Sequence, residues 1–208
     1  MDISRQFDTL WYQGASLAAV ALVSGTALAL AYQNAAPRIV EAQARKTEAA
    51  LAEVLPAGSF DNALMADTVE VHDADGRTLT VYRARKAGAV TAVVFAMEGK
   101  GYSGTIKLVM GVDLAGRLTG VRVTGHTETP GLGDKIEIAK HPWVRSFDGK
   151  TLDDPAPARW AVKKDGGVFD QFAGATITPR AVVATVRRGL ELHAGARDRM
   201  LADAAPRP

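Results

Sequence analysis

A small hydroxyl, Thr176, sits in a Gly/Ala-rich turn within Phe169-Asp170-Gln171-Phe172-Ala173-Gly174-Ala175-Thr176-Ile177-Thr178-Pro179-Arg180. Beyond it, Ala181, Val182, Val183, Val186 and Leu190 recur at helical spacing. The pattern predicts a helix opening here, with Thr178 as N-cap and Pro179 at the first helical position. A phosphate ester on Thr176, beside Gly174 and Ala175, would then face unpaired backbone N–H groups and the positive end of a helix dipole. Gly-Ala-Thr by itself favours the start of an ordinary capped helix, so the chemistry has to be read together with the rest of the chain.

Two other loops carry polar groups. His126-Thr127-Glu128-Thr129-Pro130-Gly131-Leu132-Gly133-Asp134-Lys135 follows an apolar run. Its glycines and proline make a defined loop whose backbone can approach a flat ligand. His126, Glu128, Thr129 and Lys135 offer hydrogen bonds to a polar ring edge, and Pro130, Gly131, Leu132 and Gly133 shape the approach. Glu128, Thr129, Leu132 and Gly133 are expected to lie closest to such a ligand. Gly131-Leu132-Gly133 is no dinucleotide fingerprint. The third loop, Gly99-Lys100-Gly101-Tyr102-Ser103-Gly104-Thr105, brings one aromatic, Tyr102, and one hydroxyl, Ser103; standing alone it is a hairpin connection.

Composition excludes several chemistries. The 208 residues contain no cysteine, which removes disulfides, iron–sulfur ligation and thiolate catalysis. His72, His126, His141 and His193 stand apart, with no metal-ligand spacing. No catalytic residue and no metal site is expected. Net charge is +2 with the basic residues dispersed, against nucleic-acid binding. A redox role would require an added organic cofactor.

The elements that must position these loops begin with a nearly uncharged run from Leu10 to Tyr32, bordered by Trp11, Tyr12 and Tyr32. Roughly 20 helical residues cross a hydrocarbon core, and aromatics favour its borders. The rival is a cleaved signal peptide, since Ala27-Leu28-Ala29 and Ala29-Leu30-Ala31 resemble cleavage sites. The length of the apolar run favours an intact anchor. Arg5 lies on one side and Arg38, Arg45 and Lys46 on the other, so charge leans weakly towards a cytoplasmic C-terminal side. The anchor contains no carboxylate or lysine of the kind an ion pathway needs.

Ala35 to Leu55 reads as a second helix stopped by Pro56-Ala57-Gly58. Strands are expected at Thr78–Arg83 after the turn Asp73–Gly76, at Thr91–Met97, and at Ile106–Val112 and Leu118–Thr124, the last two joined by a hairpin at Asp113–Arg117. Lys135–Phe147 suggests a short helix interrupted at Pro142, Trp160–Lys164 a further strand, and Pro179 to about His193 the last helix, before a polar tail ending in Pro206-Arg207-Pro208. The expected fold class is α+β: an N-terminal transmembrane helix, then one domain with a largely antiparallel sheet and flanking helices.

Gly-Tyr-Ser-Gly, then His-Thr-Glu-Thr-Pro-Gly-Leu-Gly, then Phe-Asp-Gln-Phe-Ala-Gly-Ala-Thr-Ile-Thr-Pro, behind one N-terminal anchor, closely resemble the G subunit of the Rnf (Rsx) electron-transport complex. The C subunit of the sodium-pumping NADH:quinone oxidoreductase is a more distant resemblance. In this FMN-binding family the Thr after Gly-Ala carries FMN through its phosphate, attached by a flavin transferase with FAD as donor; here that residue is Thr176. The broader motif commonly has Ser or Thr where this chain has Ala173, so one hydroxyl donor is lost while the acceptor Thr remains. The resemblance implies an electron carrier in a membrane complex that moves electrons between ferredoxin and NAD and couples this to ion transport, with other Rnf subunits as partners. It also implies residues 1–9 in the cytoplasm, 10–32 in the inner membrane, 33–58 as a connecting helix and 59–208 as a periplasmic FMN-binding domain. A different class, a membrane-anchored periplasmic ligand-binding module without redox role, would use the same loops around a non-covalent ligand.

Overall fold

The computed structural model describes residues 10–73 and 76–202. The expectations for the segment before Leu10 and for the tail after Ala202 fall outside these residues. The chain divides into a helical unit up to Thr47 and a larger unit from Glu48 onward.

In the first unit, α1 runs from Leu10 and continues to Glu53. The sequence suggested two helices, an anchor and a connecting one; the backbone is helical throughout. Alanine-rich segments on both sides favour helix, and Gln33 and Asn34 between them do not break it. Trp11–Ala36 is long and apolar enough to cross a membrane, with a mean hydropathy of 1.8 in its most apolar 18-residue window. At 1.5 Å per residue that is roughly 39 Å, and its side chains are exposed.

The second unit is built on a five-stranded antiparallel meander in the order β1-β2-β3-β4-β5. The strands are β1 (Thr68–His72), β2 (Thr78–Lys86), β3 (Ala89–Lys100), β4 (Thr105–Asp113) and β5 (Leu118–Gly125). The hairpin at Asp113–Arg117 is present, its Asp113 carboxylate accepting from the Ala115 and Arg117 N–H groups at 2.8 and 2.9 Å. Sequence reading missed β1: in Thr68-Val-Glu-Val-His only Val71 is buried, so the alternation is there but faint.

β3 is apolar without a break from Ala92 to Met97 because both sheet faces are covered there. Val93, Phe95 and Met97 face the main core, beneath Val182, Val183, Val186 and Leu190 of α2 (Ile177–Leu201). Ala92 and Val94 face the other way, against Leu51, Val54 and Leu55 at the end of α1. Each such large apolar side chain contributes about 1.5–3 kcal/mol when fully buried. Thr119 Oγ1 donates to the Val54 carbonyl at 2.6 Å and Arg122 pairs with Glu53 at 2.8 Å, which fixes that end of the helix on the sheet.

Between β5 and α2 the chain is loop and 3₁₀ turn. Lys135–Phe147 resolves into two short 3₁₀ helices, Asp134–Ile136 and Pro142–Phe147, and Pro142 starts the second rather than interrupting a longer one. The expected strand at Trp160–Lys164 does not form. Val162 makes only an isolated bridge to Phe169, and Lys163–Asp165 is a 3₁₀ turn. What orders this region is an aromatic cluster. Phe147 lies 4.6 Å from Phe169, Trp160 5.2 Å from Phe169, and Trp143 meets Phe172 edge-on at 5.2 Å.

Candidate functional site

The aromatic cluster sets the entry to the Thr176 turn. Trp143 Nε1 donates to the Asp170 carbonyl at 2.8 Å, and Phe172 is buried against the same indole. The chain then turns at Gly174, whose φ of 80° lies in the region that L side chains avoid. Ala175 N–H closes the turn on the Phe172 carbonyl at 3.1 Å.

The helix opens earlier than expected. Thr176, not Thr178, is the N-cap residue, and its side chain makes no capping hydrogen bond. Pro179 consequently stands at the third helical position rather than the first. The reason is local to Thr178: its side chain is buried and its hydroxyl donates to Glu128 Oε2, so it is not available to cap. The N–H groups of Thr176, Ile177 and Thr178 meet no acceptor among the described residues, while Arg180 N–H already reaches the Thr176 carbonyl at 3.3 Å. A half-buried hydroxyl thus stands at the head of a 25-residue helix beside unpaired amides, an arrangement that favours an anion or phosphate ester.

The three loops named from sequence converge. Leu132 lies beside the Gly174 turn, its Cδ2 3.6 Å from where a Cβ on Gly174 would stand. A Cβ on Gly133 would meet Thr178 Oγ1 at 2.9 Å and Glu128 Cβ at 3.0 Å. Ser103, in the β3–β4 turn, donates its backbone N–H to Glu128 Oε1 at 3.0 Å. Leu132, Tyr102 and Ile177 are all large apolar side chains left exposed. Ile177 was not singled out from sequence; the available signal was an apolar residue out of phase with the buried stripe of its helix.

Other predicted residues are engaged within the protein. His126 Nδ1 accepts from the Glu128 N–H at 3.0 Å, and its Nε2 donates to Glu137 at 2.8 Å, so both ring nitrogens are engaged by protein. Lys140 lies 2.7 Å from Glu137 and 3.0 Å from Asp134. The Gly131 N–H, and then Lys140, hold the Asp134 carboxyl below the usual carboxylate range; Lys140 and then His126 do so for Glu137. Thr129 supplies its carbonyl to the N–H groups of Leu132 and Gly133 at 3.2 and 3.0 Å, closing the turn through exposed Pro130 and Gly131. Lys135 is half-buried in the 3₁₀ turn that follows. Outside the loops, Arg180 grips Asp165 through two bonds of 2.5 and 2.6 Å, and Lys163 pairs with Asp170 at 2.5 Å.

A groove of about 1230 Å³ lies elsewhere, between the C-terminal half of α2 and the β1–β3 face. It is lined by residues of both charges, including Arg77, Arg188, Glu98 and Glu191, and by none from the three loops. The converging loops, rather than this groove, bring together an unengaged hydroxyl, open amides and exposed apolar side chains. No group of His, Asp and Glu suited to holding a metal ion occurs among the described residues.

Comparison with known proteins shows what the chain resembles. Residues 101–191 match the family described as FMN-binding domain. The chain is 50% identical over 194 residues to the G subunit of the ion-translocating oxidoreductase complex of Cereibacter sphaeroides, covering 93% of this chain and 89% of that protein. It is 51% identical over 187 residues to the corresponding G subunit of Pseudomonas aeruginosa, with 88% and 87% covered. Among solved structures, the crystal structure of Shewanella oneidensis NqrC aligns with a TM-score of 0.51 at 23% identity, covering 69% of this chain and 76% of that one, a likeness of fold.

Proposed function

The chain belongs to the family of G subunits of the ion-translocating oxidoreductase complex, and on that premise we propose that it carries electrons through FMN esterified to Thr176. The membership and the FMN-binding domain make it a flavin-binding, electron-carrying subunit of a membrane complex, anchored by one N-terminal apolar helix. The finer proposal is the linkage. The observation that carries it is the Thr176 hydroxyl, uncapped and uncommitted at the head of α2, beside three unpaired amides.

The residues present fit such a group. The amides of Thr176, Ile177 and Thr178 would hold the phosphate oxygens, with the helix dipole adding about 0.3–1 kcal/mol of favourable interaction with the negative charge. Gly174 lets the backbone turn just ahead of the hydroxyl. Leu132, Tyr102 and Ile177 offer exposed apolar surface to the ring. Bound FMN supplies the redox chemistry, taking up and passing on electrons. Thr176 is a tether, and the covalent bond prevents loss of the flavin in every redox state.

Attachment by a flavin transferase with FAD as donor balances simply. The Thr176 Oγ–phosphorus bond forms, the pyrophosphate P–O bond of FAD breaks, AMP leaves, and the hydroxyl proton passes to a base on the transferase. The proposed setting is the inner membrane, with Met1 in the cytoplasm and the flavin domain in the periplasm, alongside the other Rnf subunits. A periplasm-dependent reporter fused after Pro208 should be active; activity of a cytoplasm-only reporter there reverses the orientation.

The direct test is denaturing electrophoresis of the full chain made together with a flavin transferase. A fluorescent flavin band is expected from the native sequence and none from Thr176→Ala, with both proteins present in membranes. A fluorescent Thr176→Ala band would place the bond elsewhere, and a dark native band would remove the covalent reading.

A further inference from the structure

We propose that Glu128 is a positioning residue that sets the direction of the Thr176 hydroxyl by tying all three loops together through its two carboxylate oxygens. The proposal rests on attachment at Thr176 as argued above. Glu128 is 4% exposed. Its Oε1 accepts from the Ser103 N–H at 3.0 Å and its Oε2 from the Thr178 hydroxyl. Its own N–H is held by His126 Nδ1 at 3.0 Å, and His126 is anchored by Glu137. The carboxylate therefore faces the protein, not the open side of the site, although it belongs to the loop that sequence reading placed against the flavin.

Space has been cleared around it. A Cβ on Gly101 would collide with Glu128 Oε1 and with Ile106, and one on Gly133 would crowd Glu128 Cβ at 3.0 Å. Both glycines thus border the same side chain, Gly101 from the β3–β4 loop and Gly133 from Glu128's own loop. No lysine, arginine or histidine nitrogen forms an ion pair with it among the described residues. Burying a carboxylate without a cation is costly. The favourable terms here are an amide, a hydroxyl and the positive end of α2. A packing role alone would be served more cheaply by an apolar side chain of similar volume.

What the carboxylate secures is the first turn of α2. Thr178 lies two residues beyond Thr176, at the second helical position. Holding the Thr178 hydroxyl fixes that residue's backbone and withdraws it from capping. The N-cap position thereby falls to Thr176, whose hydroxyl has no partner to turn towards. Loss of the tie would free the first turn of α2 and would shift Thr176 by a fraction of a turn. A displacement of about 1 Å at a reacting atom costs on the order of a hundredfold in rate.

The test uses the full chain in detergent with flavin transferase and FAD, following the rate of appearance of denaturation-resistant flavin. Thr178→Val keeps the shape and removes the donor; Thr178→Ser keeps the donor. Attachment to the valine variant should be slower by about tenfold or more, and the serine variant should return to within about threefold of native, with thermal midpoints recorded for both. Adding Glu128→Gln to Thr178→Val should slow attachment little further, because both substitutions break one tie. Native-rate attachment to a folded Thr178→Val chain, or independent, multiplying effects of the two substitutions, would overturn the proposal. If the valine variant does not fold, Thr178→Ala carries the same comparison with serine. A native chain without attached flavin, or attachment that survives Thr176→Ala, would instead refute the linkage on which this rests, so the two failures are distinct.

Discussion

At its C-terminal end α2 is closed by a buried arginine, and at its N-terminal end it is left open. Arg83, 2% exposed on β2, pairs with Asp67 and donates Nη1 to the Ala202 carbonyl. Arg85 joins the same carboxylate at 2.5 Å. Burial alone would raise the Asp67 pKa, but the bonds from Arg85 and Arg83 outweigh it and hold the carboxyl below its usual range. A cation at the negative end of the dipole adds to this. At the other end, among the described residues, the N-cap hydroxyl is idle and the first amides have no acceptor. One helix thus invests stability at one terminus and keeps the other available to a ligand.

The contrast breaks most directly at Arg83. Arg83→Met should lower stability by about 3 kcal/mol, because Asp67 loses a buried partner and the last carbonyls of α2 lose their donor. For a chain of this size that is roughly 6–12 °C in the thermal midpoint. Flavin attachment to the folded fraction at moderate temperature should stay near native. A folded Arg83→Met protein that no longer accepts flavin would show that the two ends are not separable.

The opposite perturbation is Gly174→Ala. The backbone there has φ 80°, so a Cβ adds strain of about 1–2 kcal/mol, while the neighbouring Leu132 at 3.6 Å is only in ordinary contact. The thermal midpoint should fall by a few degrees, and attachment at Thr176 should slow severalfold. Unchanged attachment would mean that the turn does not orient the hydroxyl.

The same contrast decides what could be read from the chain. The β3, β4 and β5 runs are dense in apolar residues and the α2 stripe repeats at helical spacing, and both are local information. So are the turn glycines and the Thr176 motif, which stand next to one another in sequence. The cap was misassigned because Thr178 is captured by Glu128, 50 residues away, and no local pattern encodes such a bond. Trp160–Lys164 looked like a strand because its apolar residues serve an aromatic cluster rather than a ladder. Arg83 drew no attention because a charged residue in a strand usually faces solvent. Its partners, Asp67 and the Ala202 carbonyl, lie 16 and 119 residues away.

A last, smaller effect concerns the closed half of α2. His193 is 3% exposed, and its Nε2 has no hydrogen-bond partner. Burial, and then the nearby Arg197, push its pKa below the ordinary value, against a weaker upward pull from Asp113. The folded protein therefore binds a proton at His193 less readily than the unfolded chain does. The stability that neutral His193 permits is fully present above about pH 6.5 and is lost as pH falls from there through the folded pKa. Over that window the slope should approach about 1.4 kcal/mol per pH unit from this residue alone. His193→Leu, which fills similar space without a titrating ring, should flatten the acid side of the stability profile, measured by denaturant unfolding between pH 7 and pH 5. It should leave attachment at Thr176 unchanged, since that hydroxyl lies at the far end of the helix. If the substitution leaves the acid slope as it was, His193 is not its source; Asp67, held below the usual carboxylate range, loses its contribution only at pH below about 4. If it alters attachment instead, the closed half of α2 is coupled to its open end.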